Sequence, residues 1–146
     1  MREQFKKLDG IVKDLRKNKA LLMKELGEGV EYIPSNDYDG DSGIALTIKF
    51  SSEEKCKDFA DKTGAMIPGY CGRHVYNDWK PILEKKGAFH PLMNPFNFEV
   101  NKNVEYSEDM CEKSLAILKK CAHISIDCDW TEAQIKELAG KIKSAL

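Results

Sequence analysis

Side chains able to do chemistry are concentrated in one stretch. Residues 72–83 read Gly-Arg-His-Val-Tyr-Asn-Asp-Trp-Lys-Pro-Ile-Leu, and residues 87–96 read Gly-Ala-Phe-His-Pro-Leu-Met-Asn-Pro-Phe. A guanidinium (Arg73), two imidazoles (His74, His90), a phenol (Tyr76) and an indole (Trp79) fall within eighteen positions. Arginine suits carboxylate or phosphate because its planar fork donates two parallel hydrogen bonds. The functional reading is therefore a pocket for an anionic or hydroxylated ligand, lined by Arg73, His74 and His90. The plain alternative is structural: Trp79, Ile82 and Leu83 in a core, the histidines on backbone carbonyls, Arg73 capping a helix or paired with a carboxylate.

Other chemistries find less support. The chain has no Gly-rich phosphate loop, no dinucleotide fingerprint, no Gly-x-Ser-x-Gly elbow and no His-Glu-x-x-His. Cys71 lies three residues before His74, but nothing in the sequence supplies an oxyanion hole for a thiol hydrolase. The five cysteines, Cys56, Cys71, Cys111, Cys121 and Cys128, are an odd number without a secretory leader, which favours reduced thiols. Cys121, His123 and Cys128 lack the paired spacing of a zinc site, so no metal is expected.

The elements that must position these residues follow from periodicity. Phe5, Leu8, Ile11, Val12, Leu15, Leu22 and Leu26 form one stripe of a 3.6-residue repeat, predicting a long helix over 1–26 that Gly27 and Gly29 stop. Gly10 inside it marks a possible bend. Residues 30–33 and 43–50 read as strands around a polar loop. Ser51-Ser52-Glu53-Glu54 opens a helix that Gly64 closes, and 65–67 is a short strand before Pro68. From 68 to 106 four prolines and three glycines leave mainly loop, with one short helix over 77–86, Asp78 near its N-cap and Pro81 in its first turn. A helix over 106–120, a strand over 122–126 and a terminal helix from the Thr131-x-x-Gln134 capping box complete the chain. The expected fold is α+β: a two-layer sandwich with a three- to four-stranded, mainly antiparallel sheet, helices on one face and a long N-terminal linker helix.

Size and charge narrow the classes. One hundred and forty-six residues suffice for one domain. Twenty-three Lys and Arg against 24 Asp and Glu give a net charge of -1, which opposes a large basic field, so neither nucleic acid nor anionic lipid is an expected partner. No stretch suits a membrane span, and residues 1–7 lack a secretory h-region, so a cytoplasmic location is expected.

The order of motifs resembles a known family. Gly72-Arg73-His74-Val75-Tyr76, then Trp79, Pro81-Ile82-Leu83, His90-Pro91 and Asn94-Pro95-Phe96, resemble the C-terminal small domain of DegT-type sugar aminotransferases, fold type I enzymes that use pyridoxal phosphate. The resemblance extends to Ile11-Val12 and 15–19 of the entry helix, to Asp39-Gly40-Asp41-Ser42-Gly43, to 114–118 and to Asp129-Trp130-Thr131-Glu132. It implies residues 1–26 as linker helix, 27–146 as α/β sandwich, and the cofactor lysine on a large domain absent from this sequence. This chain alone would then hold no catalytic residue and no cofactor. The family's small domain closes over the active site, so Arg73, His74, Tyr76 and His90 would contact a sugar-like or keto substrate. Implied partners are the large domain, missing or separately encoded, a small-molecule substrate and a possible second copy. The apolar stripe of the entry helix would be partly exposed and weakly self-associating. Two other readings of the chain are a cofactor-free binding or regulatory module of the same fold, and an enzyme with a new site in 68–106.

Overall fold

The computed structural model describes residues 2–73 and 75–146; His74 lies outside the described residues, as does the side chain of Gln4. Helices are α1 (Arg2–Phe5), α2 (Leu8–Leu26), α3 (Glu53–Thr63), α4 (Lys80–Leu83), α5 (Glu112–Leu118) and α6 (Glu132–Ala145), with strands β1 (Ala45–Lys49) and β2 (Cys121–Ser125). The chain divides into two compact units: one runs to Ile67 and resumes over Lys120–Leu146, and the other is Pro68–Lys119.

In the first unit β1 and β2 pair antiparallel, with Leu46 opposite Ile124 and Ile48 opposite Ala122. All four side chains are buried, while Thr47 and His123 pair on the less buried face. This alternation follows from the two-residue side-chain period of a strand. The core gathers Leu15, Leu22 and Leu26 of α2, Cys56 and Phe59 of α3, and Ile135, Ala139 and Ile142 of α6 with the buried strand residues. Mixed helix and antiparallel sheet is thus the architecture, entered by a long helix.

The expected strands over 30–33 and 65–67 contract to single bridges, Tyr32 to Ile48 and Met66 to His123, one on each side of the two-stranded ladder. The sequence supplies the reason, since Pro34 and Pro68 follow each segment. Proline has no N–H to continue a ladder.

Helix boundaries also differ from expectation. The N-terminal helix breaks at residues 6–7 and runs straight through Gly10. Phe5 is 70% exposed, and burial of the stripe begins only at Leu15, so Phe5 lies outside the buried core. Ser52 caps α3 by accepting the Lys55 N–H, and Gly64 ends it in the left-handed conformation. Thr131 and Gln134 form the reciprocal capping box of α6. In the second unit, the helix expected over 77–86 becomes a 3-10 turn, Tyr76–Asp78, followed by α4. The residue before α4 is Trp79, not Asp78, and its ψ of 63° interrupts the helix. The helix expected over 106–120 starts only at Glu112. Ser107 Oγ donates to Asp109 Oδ1 in a local turn, and the Cys111 N–H is taken by the Tyr76 hydroxyl. Such side-chain bonds compete with helix formation.

Asn18 is the buried polar residue of α2. Its Nδ2 donates to the Asp127 carbonyl at 2.8 Å and lies 3.4 Å from the carbonyls of Cys128 and Trp130. One amide thereby fixes the turn between β2 and α6 onto α2. Replacing a donor while leaving buried acceptors unsatisfied costs about 2 kcal/mol. Asn18→Leu is expected to lose about that much in urea unfolding, and an unchanged midpoint would show that the contact holds nothing.

Candidate functional site

The residues singled out by sequence lie in the Pro68–Lys119 unit. Arg73 is exposed, and its carbonyl accepts the Trp79 indole N–H at 2.7 Å. Tyr76 donates its hydroxyl proton to the Glu108 carbonyl at 2.7 Å and accepts the Cys111 N–H at 3.0 Å. Its phenol therefore ties the 76–78 turn to the segment before α5. His90 is exposed, and its Nδ1 accepts the Leu92 N–H at 3.2 Å, so that nitrogen carries no proton in this bond and Nε2 is the protonated position. His74, the fourth candidate, falls outside the described residues.

The structural alternative is met only in part. Trp79 and Ile82 are 44% and 38% exposed, hence outside any core, and His90 accepts from an N–H instead of donating to a carbonyl. What orders this loop is a series of asparagines. Asn94, Asn97 and Asn101 donate to the carbonyls of Lys85, Pro91 and Pro95, and Asn94 Oδ1 accepts the Phe96 N–H. These bonds satisfy backbone groups that have no helix or sheet partner. Phe89, Leu92, Met93 and Val100 remain exposed on the ordered turns. Asn77 Oδ1 and Asp78 Oδ2 are buried and accept no hydrogen bond among the described residues.

Tyr76→Phe removes an acceptor and a donor from partly solvated backbone groups, for an expected loss of about 1 kcal/mol. Amide hydrogen exchange should accelerate at Cys111 and its neighbours. Unchanged protection there would mean that the hydroxyl does not hold the turn.

Sequence reasoning missed a cleft in the first unit. It has a volume of about 650 Å³, between α2, the segment 32–41 and β1. The polar run 35–43 folds over α2 as a strap. Arg16 Nε and Nη2 donate to the carbonyls of Asp41 and Asp39, at 2.5 and 2.6 Å. Lys19 Nζ pairs with Asp41 Oδ2 at 2.5 Å, and Asp41 Oδ1 accepts the Gly43 N–H at 2.8 Å. The Lys19 hydrogen bond, then that N–H, hold the Asp41 carboxyl below its ordinary value. Tyr32 also lines the cleft, but its hydroxyl is enclosed without a partner among the described residues, and burial pushes its phenol upward. The Asp-Gly-Asp-Ser-Gly run at 39–43 was the available signal, but only the pairing with Arg16 and Lys19 turns it into a wall.

No disulfide joins the cysteines, and Cys56 and Cys121 are buried in the core. Burial raises the Cys56 thiol to about 11, which removes it as a nucleophile near neutral pH. His123 Nδ1 lies 3.3 Å from Thr47 Oγ1. The ligand-type atoms that gather are instead those of Asp127, Cys128 and Asp129, within 4.8 Å of one another among the described residues. Asp127 Oδ1 accepts the Asp129 N–H there, as in an ordinary Asx turn.

No lysine of the described chain is buried, and Lys19, on the cleft, is ion-paired to Asp41. Among the described residues no helix is long and apolar enough to cross a membrane. No protein-family model matches the chain.

Proposed function

We propose that this chain is the small, substrate-closing domain of a DegT-type pyridoxal-phosphate aminotransferase, acting with a large domain that carries the cofactor. The carrying observation is the ordered set of motifs from Gly72 to Phe96, laid out on a loop unit that is fixed by side-chain bonds yet keeps Arg73 and His90 exposed. A lid needs that combination: groups held in place, facing outward. On this reading the single-bridge segments at Tyr32 and Met66 are the outer strands of a four-stranded antiparallel sheet with helices on one face.

Pyridoxal phosphate supplies an electron sink, and it resides on the large domain. The present chain contributes binding. Arg73 offers a fork to an anionic or hydroxylated substrate and His90 presents an Nε2 proton, while Tyr76 holds the 76–78 turn and the Trp79 indole that follows it holds the Arg73 carbonyl. His74 is a further substrate contact on the same reading. The second reading, a cofactor-free binding module, is favoured by the cleft against α2, which stands apart from these residues in sequence.

The two readings separate in the assembled enzyme. Arg73→Ala should raise KM for the amino acceptor about tenfold or more, with kcat little changed, because a binding contact serves ground and transition states alike. Unaltered kinetics in Arg73→Ala and His90→Ala would remove the assignment of both residues.

A further inference from the structure

We propose that the Asp39–Gly40 peptide bond is a self-modification site, which converts through a cyclic imide to an isoaspartyl link with Arg16 as the assisting group. The reaction requires the Gly40 nitrogen to reach Cγ of the Asp39 side chain. Glycine suits the attacking position, since it has no Cβ to obstruct the approach or to narrow its own dihedral angles. Both residues are exposed, in a turn outside every helix and strand. The Gly40 N–H makes no hydrogen bond among the described residues, so no partner has to be given up before attack. The Asp39 carboxyl is in no ion pair or hydrogen bond among them either.

A guanidinium on the carbonyl sets this bond apart from an ordinary Asp–Gly link. Arg16 Nη2 donates to the Asp39 oxygen at 2.6 Å. That oxygen and the Gly40 nitrogen share one conjugated amide, so charge left on the deprotonated nitrogen spreads to the oxygen. A cationic donor already in place there stabilises the anion and makes the nucleophile more available. The Asp41 carbonyl holds Nε of the same guanidinium and keeps it on the turn. Lys19 is spent on the Asp41 carboxylate. Asp37 works the other way: its Oδ1 accepts the Asp39 N–H, and its Oδ2 lies where a Cβ on Gly40 would stand 2.2 Å from it. That carboxylate opposes a second negative charge at Gly40, and Arg16 offsets it. Arg16 is exposed, so water screens the effect and limits it to a few-fold.

The step balances without an oxidant or cofactor. The Gly40 N–H and the protonated Asp39 carboxyl lose one water, the N–H and C–OH bonds breaking as the N–Cγ bond forms. Water then adds to either carbonyl of the imide. Addition at the side-chain carbonyl restores aspartate. Addition at the former main-chain carbonyl leaves the chain running through Cβ and Cγ, with the old carbonyl carbon a free carboxylate. Arg16 favours this second path, because it polarises the carbonyl it holds and pairs with the carboxylate that forms. Asp9–Gly10 is the comparison within the same chain. It lies inside α2, where helical dihedrals must be undone before cyclisation, and no Arg or Lys side chain donates to the Asp9 carbonyl among the described residues.

The test is incubation of the full chain in neutral buffer made with oxygen-18 water, folded and in concentrated urea. Proteolysis and fragment-ion mass spectrometry then count oxygen-18 at each aspartate and separate isoaspartate from aspartate. The folded chain should label Asp39 at least as fast as the unfolded chain, whereas folding should slow Asp9 by about tenfold or more. The isoaspartyl share at position 39 should exceed that of the unfolded chain. Arg16→Gln should slow labelling of Asp39 about threefold, and Arg16→Lys should recover part of the rate. Asp37→Asn keeps an acceptor for the Asp39 N–H and removes the opposing charge, so it should speed the reaction. Slower labelling of Asp39 in the folded than in the unfolded parent, equal folded rates at the two Asp–Gly links, or an Arg16→Gln chain that reacts as fast as the parent would each overturn the proposal. The first two comparisons need no variant, so they decide the matter even where Arg16→Gln does not fold.

Discussion

Gly43→Ala is expected to destabilise the first unit by about 3 kcal/mol. Gly43 has φ +78°, a left-handed conformation that a side chain adopts at a cost of roughly 1 kcal/mol. A Cβ there would stand 2.7 Å from the Arg16 nitrogen and 2.9 Å from the Arg16 Cα and the Leu15 carbonyl carbon. All three are backbone atoms of α2, so no rotamer change relieves the overlap. Either the helix shifts in a packed core or the strap lifts, losing the Arg16 and Lys19 contacts together. Gly64 is the control. It shares the φ of +78°, but a Cβ added there would meet nothing within 4 Å, so Gly64→Ala should cost only about 1 kcal/mol. Equal urea midpoints for the two variants would mean that the strap does not press on α2.

Phe59→Ala should be more damaging still, at about 3–5 kcal/mol. Phe59 is fully buried on α3, with its ring 5.0 Å from that of Phe50 at an interplanar angle of 41°. Removing it deletes that ring contact and leaves a cavity amid Cys56, Ile135 and Ile142. A domain holds only about 5–15 kcal/mol in all, so the loss approaches global unfolding. Phe59→Leu should recover roughly half of it. Thermal unfolding followed by circular dichroism reads both, and an alanine variant that melts like the parent would place Phe59 outside the core.

The helices and central strands are legible in the sequence because their signals are local. Capping residues at Ser52 and Thr131, the stop at Gly64, and the β-rich run at 43–50 act within a few positions of where they sit. The shortening of the strands expected over 30–33 and 65–67 has a local cause too, since Pro34 and Pro68 follow the two segments. Two features are hidden for the opposite reason. The helix before β2 starts late because Cys111 bonds to Tyr76, a residue 35 positions away. The cleft exists because Arg16 and Lys19 reach a loop more than twenty residues distant. No periodicity encodes such a meeting. Of the candidate residues, Arg73, Tyr76 and His90 stand out in the sequence by type. Their type does not reveal that the Tyr76 hydroxyl and the His90 Nδ1 are engaged by backbone groups.

The central claim is that this chain closes an active centre carried by another domain. Its most direct test is affinity purification of the tagged full chain from cells that also express a cofactor-bearing DegT-type large domain, followed by visible absorbance and transamination assays. The expected result is a coloured complex, with activity present only when both components are combined. A chain that purifies alone and colourless, and adds nothing to the activity of that large domain, would contradict it.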